Sequence, residues 1–373
     1  MLLKKWIRNW FLIVLFSIMF IGVFNYTVDP YDIYDNKLLK IYKTKKHDKI
    51  RLVKAIEVRE KNIKTIVLGT SRATYGYNPE HKYFEQPAYN AAIPGGTMYE
   101  NLLYLKESVK DNTLKNVFLV LDYRMFNSRK QKRISDFESY FYDKYLKYKY
   151  LLSYSQFKDS LSTLKKKDNI KIYLKNGFRQ ENISTSKREN QYEFMLDDES
   201  TYYKNTPVNY LYKDTQNSSM NDFSELLDIV GRHNLKLTII FGPSHIRLWE
   251  SLDYYLDYSL WLKWKKDIVL KTNDILGKNS LIYDFSIYNK YTNEEIPIGN
   301  KEMKYFIDTN HYKESLGKLV LDYLNNDFNE ESLAVRLTPD NIDLHLEKLS
   351  QDRLKYIDVA NYKKIMDKYI NNK

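Results

Sequence analysis

Three residues with the chemistry of a serine hydrolase or acyltransferase stand in two short motifs far apart in the chain. Ser71 lies in a Gly-Thr-Ser-Arg motif directly after the apolar run at residues 65–68, and Asp308 and His311 form a late Asp-x-x-His motif. A serine hydroxyl becomes nucleophilic when an imidazole removes its proton, and a carboxylate holds that imidazole in the required tautomer. The two motifs predict a catalytic triad if the fold brings them together.

The elements that must position these motifs follow from the pattern of apolar residues. Short strand-like runs alternate with helical patterns, the strands being predicted at 63–68, 88–91, 116–121, 235–241 and 280–283, and the helices at 97–109, 221–233, 253–275 and 311–324. Strands that are apolar throughout are typical of a parallel sheet covered on both faces. We therefore expect a three-layer α/β/α sandwich with Ser71 at the ligand-binding edge of the sheet.

A loop of small residues is the candidate for an oxyanion hole. Asn90 ends the second predicted strand, and Gly95 and Gly96 follow it after Pro94. If a helix begins after Ser71, we expect the backbone amides of Ser71 and Gly95 to stabilise an oxyanion. The alternatives are that Ser71 only caps this helix and that the loop is an ordinary Pro-Gly turn.

Polar residues that follow the other strands are candidates for substrate binding. The strand at 116–121 and the strand at 235–241 should end at the same edge as the first strand. We expect the pocket to be lined by Arg72, Asn90, Gly96, Asp122, Tyr123 and His245. Capping and turn roles are the alternative interpretation for these side chains.

An apolar stretch near the N-terminus predicts a membrane anchor. Residues 10–28 carry no charge and approach the length of one bilayer crossing, and Lys4, Lys5 and Arg8 precede them. The positive-inside bias then leaves residues 1–9 in the cytoplasm and the remainder outside. A cleaved signal peptide is one alternative, although an Ala-x-Ala cleavage site is absent, and a buried core helix is the other.

The rest of the chain divides by composition. We expect a Lys-rich linker with a helix at 29–61, a catalytic domain at 62–330 and a charged helical extension at 331–373. Residues 127–219 interrupt the alternation of strands and helices and are rich in Tyr, Lys, Asp and Asn. We interpret this insertion as a lid or glycan-binding surface over the sheet, or alternatively as a packing layer.

Composition also excludes several classes of function. The 373 residues include no cysteine, which excludes a thiol nucleophile, disulfides and cysteine-ligated metals. The net charge is +11, but lysines are interleaved with acidic residues and no zinc-finger or helix-turn-helix signature occurs, so a nucleic-acid partner is not expected. The six histidines show no metal-binding spacing, so neither a metal nor another cofactor is expected.

With these motifs, residues from about 60 to 325 resemble the SGNH (GDSL-like) hydrolase superfamily. The matching residues are Ser71 for the first block, Gly95 for the second, and Asp308 and His311 for the last. The third block, Gly-x-Asn-Asp, has no counterpart, because Asp122 and Tyr123 stand in its expected place. This departure removes the asparagine that the resemblance would otherwise add to the oxyanion hole.

The anchor and the missing block are similar to a narrower, membrane-anchored subgroup. Its members act beside membrane-bound O-acyltransferases in the O-acetylation of exopolysaccharides or the D-alanylation of teichoic acids of the bacterial envelope. The resemblance implies a partner of that kind and an extracytoplasmic O-acyltransferase that carries an acyl group, expected to be acetyl, on Ser71 with His311 as base. An envelope esterase with the same triad and a non-catalytic, polymer-binding scaffold are the alternatives.

Overall fold

The structure is a computed structural model that describes residues 2–36, 38–39, 41–126, 136–165, 172–180, 190–204, 209–277, 280–297, 299 and 301–372. The chain divides into two compact units. The first unit comprises Met1–Lys61 and Ser135–Leu174, and the second comprises Asn62–Ile134 and Lys175–Lys373. The three candidate catalytic residues all belong to the second unit.

The described elements are named in chain order. The strands are β1 (Thr65–Leu68), β2 (Ala88–Asn90), β3 (Asn116–Leu121), β4 (Lys236–Phe241), β5 (Leu281–Asp284) and β6 (Val335–Arg336). The helices are α1 (Leu2–Val28), α2 (Ile50–Glu60), α3 (Ser71–Gly76), α4 (Met98–Ser108), α5 (Ser139–Tyr142), α6 (Leu146–Leu151), α7 (Tyr154–Lys165), α8 (Gln191–Tyr202), α9 (Ser219–Arg232), α10 (Ile246–Tyr255), α11 (Tyr258–Leu276), α12 (Glu314–Leu324), α13 (Ile342–Tyr356) and α14 (Val359–Asn371). Short 3-10 helices cover Thr44–Lys46 and Tyr123–Phe126.

The second unit is built on a mostly parallel sheet with the strand order β2-β1-β3-β4-β5-β6. Strands β1 to β5 are parallel, and β6 is antiparallel to β5. All four residues of β1 are buried, as expected for a strand that is apolar throughout. The prediction of an α/β fold with a mostly parallel sheet is confirmed. Strand β6 was not predicted, because a strand of two residues has too few positions for a recognisable pattern.

The first unit contains the N-terminal apolar helix. Helix α1 has 27 residues, and Leu3–Val28 is long and apolar enough to cross a membrane. Many of its large apolar side chains are exposed, including Phe11 and Phe16. The prediction of an N-terminal helix of membrane-spanning length and composition is therefore confirmed.

Several predicted boundaries differ from the structure for local reasons. The helix predicted at 253–275 is two helices, because the chain breaks at Leu256 and the Asp257 side chain caps α11 by accepting a hydrogen bond from the Ser259 amide. The helix predicted from His311 begins at Glu314, because a bridge between Phe306 and Tyr312 keeps the preceding turn non-helical. In the predicted linker, the helix is limited to α2 and the short 3-10 helix before it.

The predicted insertion at 127–219 does not form one separate segment. Its described residues 136–165 and 172–174 belong with the N-terminal unit, whereas its described residues from 175 onward belong with the sheet. Residues 127–135, 166–171, 181–189 and 205–208 of this insertion lie outside the described residues. The predicted C-terminal extension also belongs with the sheet, since it supplies β6 and the helices α13 and α14.

A close crossing of α3 and α12 joins the helix that begins at Ser71 to the helix that follows His311. A Cβ atom added to Gly317 would stand 1.8 Å from the carbonyl oxygen of Gly76, and one added to Gly76 would stand 2.1 Å from the ring of Tyr312. Only glycine permits two helices to approach this closely. The crossing therefore fixes the distance between the two halves of the candidate site.

We expect Gly317→Ala to destabilise the protein by roughly 3 kcal/mol, because the added methyl group overlaps a backbone atom that cannot rotate away. Thermal unfolding of the detergent-solubilised full chain would measure the change. Lys318→Ala, at an exposed neighbouring position on α12, is the matched control and should stay within about 0.5 kcal/mol of the native chain. A rise in stability for Gly317→Ala, as for alanine in an unconstrained helix, would contradict the close crossing.

Candidate functional site

The turn between β1 and α3 presents Ser71 at the edge of the sheet. Gly69 has a φ of +150°, and a Cβ atom at this position would stand 2.9 Å from the carbonyl oxygen of Val120. The Gly69 amide donates a 2.8 Å hydrogen bond to Oδ1 of Asn101 in α4, and Thr70 caps α3 by accepting from the Arg72 amide. The turn is therefore held from both sides, and Ser71 begins the helix with a half-buried side chain.

The Asp-x-x-His motif forms a tight turn that places His311 against Ser71. The distance between Ser71 Oγ and His311 Nε2 is 2.7 Å, and that between His311 Nδ1 and Asp308 Oδ2 is 2.8 Å. The other Asp308 oxygen accepts hydrogen bonds from the amides of Asn310 and His311. The prediction that Ser71 and His311 lie within hydrogen-bonding distance is confirmed, and the two motifs form a continuous Ser–His–Asp array.

The charges in this array fit a histidine that acts as a base. Burial opposes ionisation of Asp308, but His311 and the backbone amides outweigh burial and hold the pKa of this carboxyl below its usual value. Burial also disfavours the charged form of His311, but the Asp308 carboxylate outweighs it and raises the pKa of the imidazole above its usual value of 6.5. A proton on Nδ1, facing Asp308, leaves Nε2 free to accept the proton of Ser71.

Contacts outside the triad fix the position of the Asp-x-x-His turn. The Thr309 hydroxyl donates a 2.6 Å hydrogen bond to Asp198 in α8, and the Thr309 carbonyl accepts one from the His245 amide. Gln191, at the start of α8, donates to the carbonyl of Ile307. Helix α8 comes from the region predicted as an insertion, so part of that region supports the candidate site directly.

Asp198 adds a second carboxyl group beside the Asp308–His311 pair. Burial and the neighbouring Asp308 charge raise the pKa of Asp198 to about 7, and the Asp198 charge in turn raises the pKa of His311. Because only neutral His311 accepts a proton, activity should fall as the pH falls through the His311 pKa. The acid limb of the rate profile is therefore expected above pH 6.5, the ordinary value for histidine.

We expect Asp198→Asn to move this acid limb to lower pH, because the change removes a negative charge that favours protonated His311. The measurement is the pH dependence of kcat/KM with a soluble chromogenic ester. Asp197→Asn, at the exposed neighbouring position on α8, is the matched control. An acid limb that stays in place in Asp198→Asn, or that shifts equally in both variants, would contradict the electrostatic coupling.

Arg72 and Asp122 lie under the site and are bonded to other parts of the protein. Arg72 Nη2 lies 2.7 Å from the carbonyl oxygen of Gly242 and 2.6 Å from that of Pro243, which ties α3 to the end of β4. Asp122 accepts hydrogen bonds from the Thr70 hydroxyl and from the Arg124 amide. Both side chains are buried. The structure therefore places them in support of the Ser71 turn and not on a surface open to substrate.

The loop that carries the predicted second oxyanion donor packs against the Ser71 turn. The Ile93 amide donates a hydrogen bond to the Gly69 carbonyl, and a Cβ atom at Gly96 would stand 3.2 Å from the same oxygen. Gly95 is exposed at the tip of this loop with a φ of +62°. Asn90 is buried, and its amide group donates to the carbonyl of Ala73 within α3 and to that of Tyr77 directly after it.

His245 and Tyr123 also differ from the expectation that they line an open pocket. His245 is buried and caps α10, with Nε2 2.8 Å from the carbonyl oxygen of Glu294. Burial lowers the pKa of His245 to about 4, so its ring is neutral and committed to structural contacts. The Tyr123 side chain is buried against Trp264, with ring centroids 5.2 Å apart. Neither side chain is placed to contact a substrate held at Ser71.

Four side chains near the triad were not singled out by the sequence analysis, namely Asp198, Asn310, Tyr75 and Arg179. The Asn310 amide nitrogen lies 3.3 Å from His311 Nε2. The Tyr75 ring meets the His311 ring edge-on at 5.5 Å, and the Arg179 guanidinium lies 4.5 Å from the centre of the Tyr75 ring. Asn310 lies inside the Asp-x-x-His motif, and Tyr75 follows the Gly-Thr-Ser-Arg motif by three residues. This proximity to a motif is the only feature of the local sequence that points to them. Asp198 and Arg179 are brought to the site by long-range folding alone.

Comparisons with known proteins leave the family open. The chain matches no protein-family model, and no curated protein matches it. Within the described residues, no group of three or more His, Asp or Glu side chains is arranged to hold a metal ion.

Proposed function

We propose that this protein is a membrane-anchored serine O-acyltransferase that modifies a polysaccharide or other polymer of the bacterial envelope. The observation that carries the proposal is the hydrogen-bonded array of Ser71 Oγ, His311 and Asp308, with distances of 2.7 and 2.8 Å. Such an array lowers the barrier for attack by a serine hydroxyl on an acyl carbonyl. The proposed fold of the second unit is a three-layer sandwich of the SGNH type, with the catalytic edge at the carboxyl ends of β1, β3 and β4.

The first step would form an acyl-enzyme. Ser71 Oγ attacks the carbonyl carbon of the donor while its proton passes to Nε2 of His311, and Asp308 stabilises the imidazolium that results. The tetrahedral oxyanion is stabilised by the backbone amides of Ser71 and Gly95. When the intermediate collapses, His311 returns the proton to the leaving group of the donor, and the acyl group remains on Ser71 as an ester.

The second step would transfer the acyl group. A sugar hydroxyl of the acceptor loses its proton to His311 Nε2 and attacks the ester carbonyl, and the same two amides stabilise the second oxyanion. Collapse of this intermediate returns the proton from His311 to Ser71 Oγ and releases the acylated polymer. Each step transfers one proton through the same nitrogen, so neither metal nor cofactor is required.

The anchor supports transfer within the envelope, because a membrane tether raises the effective concentration of a membrane-bound donor. We propose that residues 29–373 face the outside and that a membrane-bound O-acyltransferase presents the acyl group, expected to be acetyl. An esterase is the second candidate. It is favoured by the 22% exposure of the His311 side chain, which leaves the array open to water.

The test uses the full chain in detergent with p-nitrophenyl acetate and an oligosaccharide acceptor. Acetylated sugar and free acetate are both quantified by mass spectrometry. Ser71→Ala is the active-site variant, and Ser350→Ala on α13 is the matched serine control. We expect acetylated sugar with the native chain and the control, and none with Ser71→Ala.

The other outcomes are distinct. If free acetate forms in a Ser71-dependent reaction and no acetylated sugar is found, the protein is an esterase and the transferase proposal is rejected. If an active-site-directed fluorophosphonate fails to label Ser71 in the folded chain, and neither product forms, both enzymatic proposals are rejected. The non-catalytic, polymer-binding scaffold is then the remaining interpretation. If the fluorophosphonate labels Ser71 but neither product forms, Ser71 is a reactive nucleophile. Turnover then requires the natural acyl donor or the membrane-bound partner.

A further inference from the structure

In the first unit, the segment formed by α6 and α7 packs against α1, the helix of membrane-spanning length. The ring centroid of Phe157 lies 5.1 Å from that of Phe24 and 6.4 Å from that of Phe20. A Cβ atom added to Gly22 would stand 3.1 Å from Cδ2 of Leu152. The segment thus contacts α1 along at least the stretch from Phe20 to Phe24.

The depth of this contact follows from the length of α1. Residues 9–28 carry no charge, and about 20 such residues cross the hydrocarbon core of a bilayer. With the boundary of the hydrocarbon at Val28, Phe24 lies about 6 Å and Phe20 about 12 Å inside it, at a rise of 1.5 Å per residue. Phe157 and Leu152 are therefore at the depth of lipid acyl chains when α1 spans a membrane.

Helix α7 has the polarity of a membrane-facing helix and not that of a water-facing one. Its buried side chains are Gln156, Ser160 and Thr163. Its apolar residues at the spacing of one helix face are Tyr154, Phe157, Leu161 and Leu164. Of these, Tyr154 is 63%, Leu161 39% and Leu164 45% exposed. A helix in water buries its apolar face, so this reversed arrangement indicates an apolar surrounding medium.

The polar groups at the break between α6 and α7 are bonded inside the protein. Asn25 in α1 donates from its amide to the carbonyls of Leu151 and Ser153, at 2.8 and 3.1 Å, and accepts from the hydroxyl of Ser160 at 3.1 Å. Asn25 is fully buried. Backbone carbonyls at a helix break are tolerated at membrane depth only when protein groups bond them, and Asn25 does this.

We propose that the α6–α7 segment is a second membrane-contacting element, whose stripe of Tyr154, Leu161 and Leu164 lies in the acyl-chain region of the leaflet next to Val28. The Nζ atom of Lys158 lies 4.8 Å from the centre of the Tyr154 ring, so the aromatic face partners this cation at the edge of the stripe. An apolar groove of about 590 Å³ between α1 and the side chains of Tyr154 and Phe157 continues this surface, and its apolar lining suits an acyl chain. The proposal is independent of any chemistry at Ser71.

The absence of cysteine from the chain permits a direct test with single-cysteine variants of the full-length protein. Leu161→Cys and Leu164→Cys carry an environment-sensitive fluorophore, and the protein is reconstituted in phosphatidylcholine vesicles with or without nitroxide-labelled acyl chains. Phe20→Cys on α1 is the positive control. Leu354→Cys, 75% exposed on the charged helix α13, is the negative control.

We expect the labels at Leu161 and Leu164 to be quenched as strongly as the label at Phe20, and several-fold more than the label at Leu354. The proposal would be overturned if the label at Phe20 is quenched by the lipid nitroxides but the labels at Leu161 and Leu164 are quenched no more than the label at Leu354. Labels at Leu161 and Leu164 that are inaccessible both to lipid nitroxides and to a water-soluble quencher would also overturn it, because they would indicate a protein occupant. Circular dichroism of each variant checks that the fold is retained.

Discussion

Ser71→Ala and His311→Ala are each expected to lower kcat by about 10⁴-fold or more, and the double variant by no more than either single variant. The reason lies in the 2.7 Å contact between Ser71 Oγ and His311 Nε2. A serine without its base is a poor nucleophile, and a base without its serine has no proton to remove. The two residues therefore act as a unit, and their effects do not add.

The measurement is single-turnover kinetics with an activated ester, together with circular dichroism to establish that each variant folds. His245→Ala is an informative comparison, because His245 caps α10 and is neutral and buried. It should change stability more than the chemical step. A mild effect of His311→Ala beside a complete loss in Ser71→Ala would contradict the array and require another base.

Asp308→Asn is expected to lower kcat by about 10⁴-fold while leaving the fold intact. The native carboxylate accepts a 2.8 Å hydrogen bond from Nδ1 of His311, and its other oxygen accepts hydrogen bonds from the Asn310 and His311 amides. An amide side chain keeps the shape of the turn. Its NH₂ group can donate to Nδ1, however, which moves the imidazole proton to Nε2 and prevents Ser71 from transferring its own proton.

The chain offers a matched control in a second Asp–His pair. His81 Nε2 lies 3.1 Å from Oδ1 of Asp322, and this pair takes no part in the candidate site. Asp322→Asn should retain the native kcat, whereas Asp308→Asn should not. The kcat of both variants with the same chromogenic ester gives the comparison. Native activity in Asp308→Asn would remove this carboxyl from the mechanism.

The residues that the two predictions change can be identified from the sequence because the motifs that contain them are short. Gly69 before Ser71 and Asp308 before His311 are short motifs, and each turn is capped by contacts within a few residues. Contacts from Asn101 and Asp198, farther along the chain, then hold the two turns in place. The strand at Asn116–Leu121 was predicted with its observed bounds, since a short apolar run between polar residues has few alternatives. The apolar helix at the N-terminus is local in the same way, because its length and composition are sufficient to identify it.

The roles of the polar residues around the triad were decided by the tertiary structure. Arg72, Asn90 and His245 lie near strand ends. At such positions a sequence pattern does not distinguish a side chain that lines a pocket from a buried side chain that hydrogen-bonds to the rest of the protein. Their burial depends on neighbours far along the chain, such as Gly242 for Arg72 and Glu294 for His245. Asp198 reaches the site only because α8 packs beside the Thr309 turn.

By itself, the sequence determined the strand–helix alternation, the apolar N-terminal helix and the residue types of the candidate triad. These depend on periodicity and on contacts between near neighbours. Only the tertiary structure decided that Ser71 meets His311, that α7 turns its polar side chains inward, and that the predicted insertion is divided between two units. The physical reason is that burial and hydrogen bonding between distant segments depend on which surfaces the folded chain brings together, and local composition does not record this.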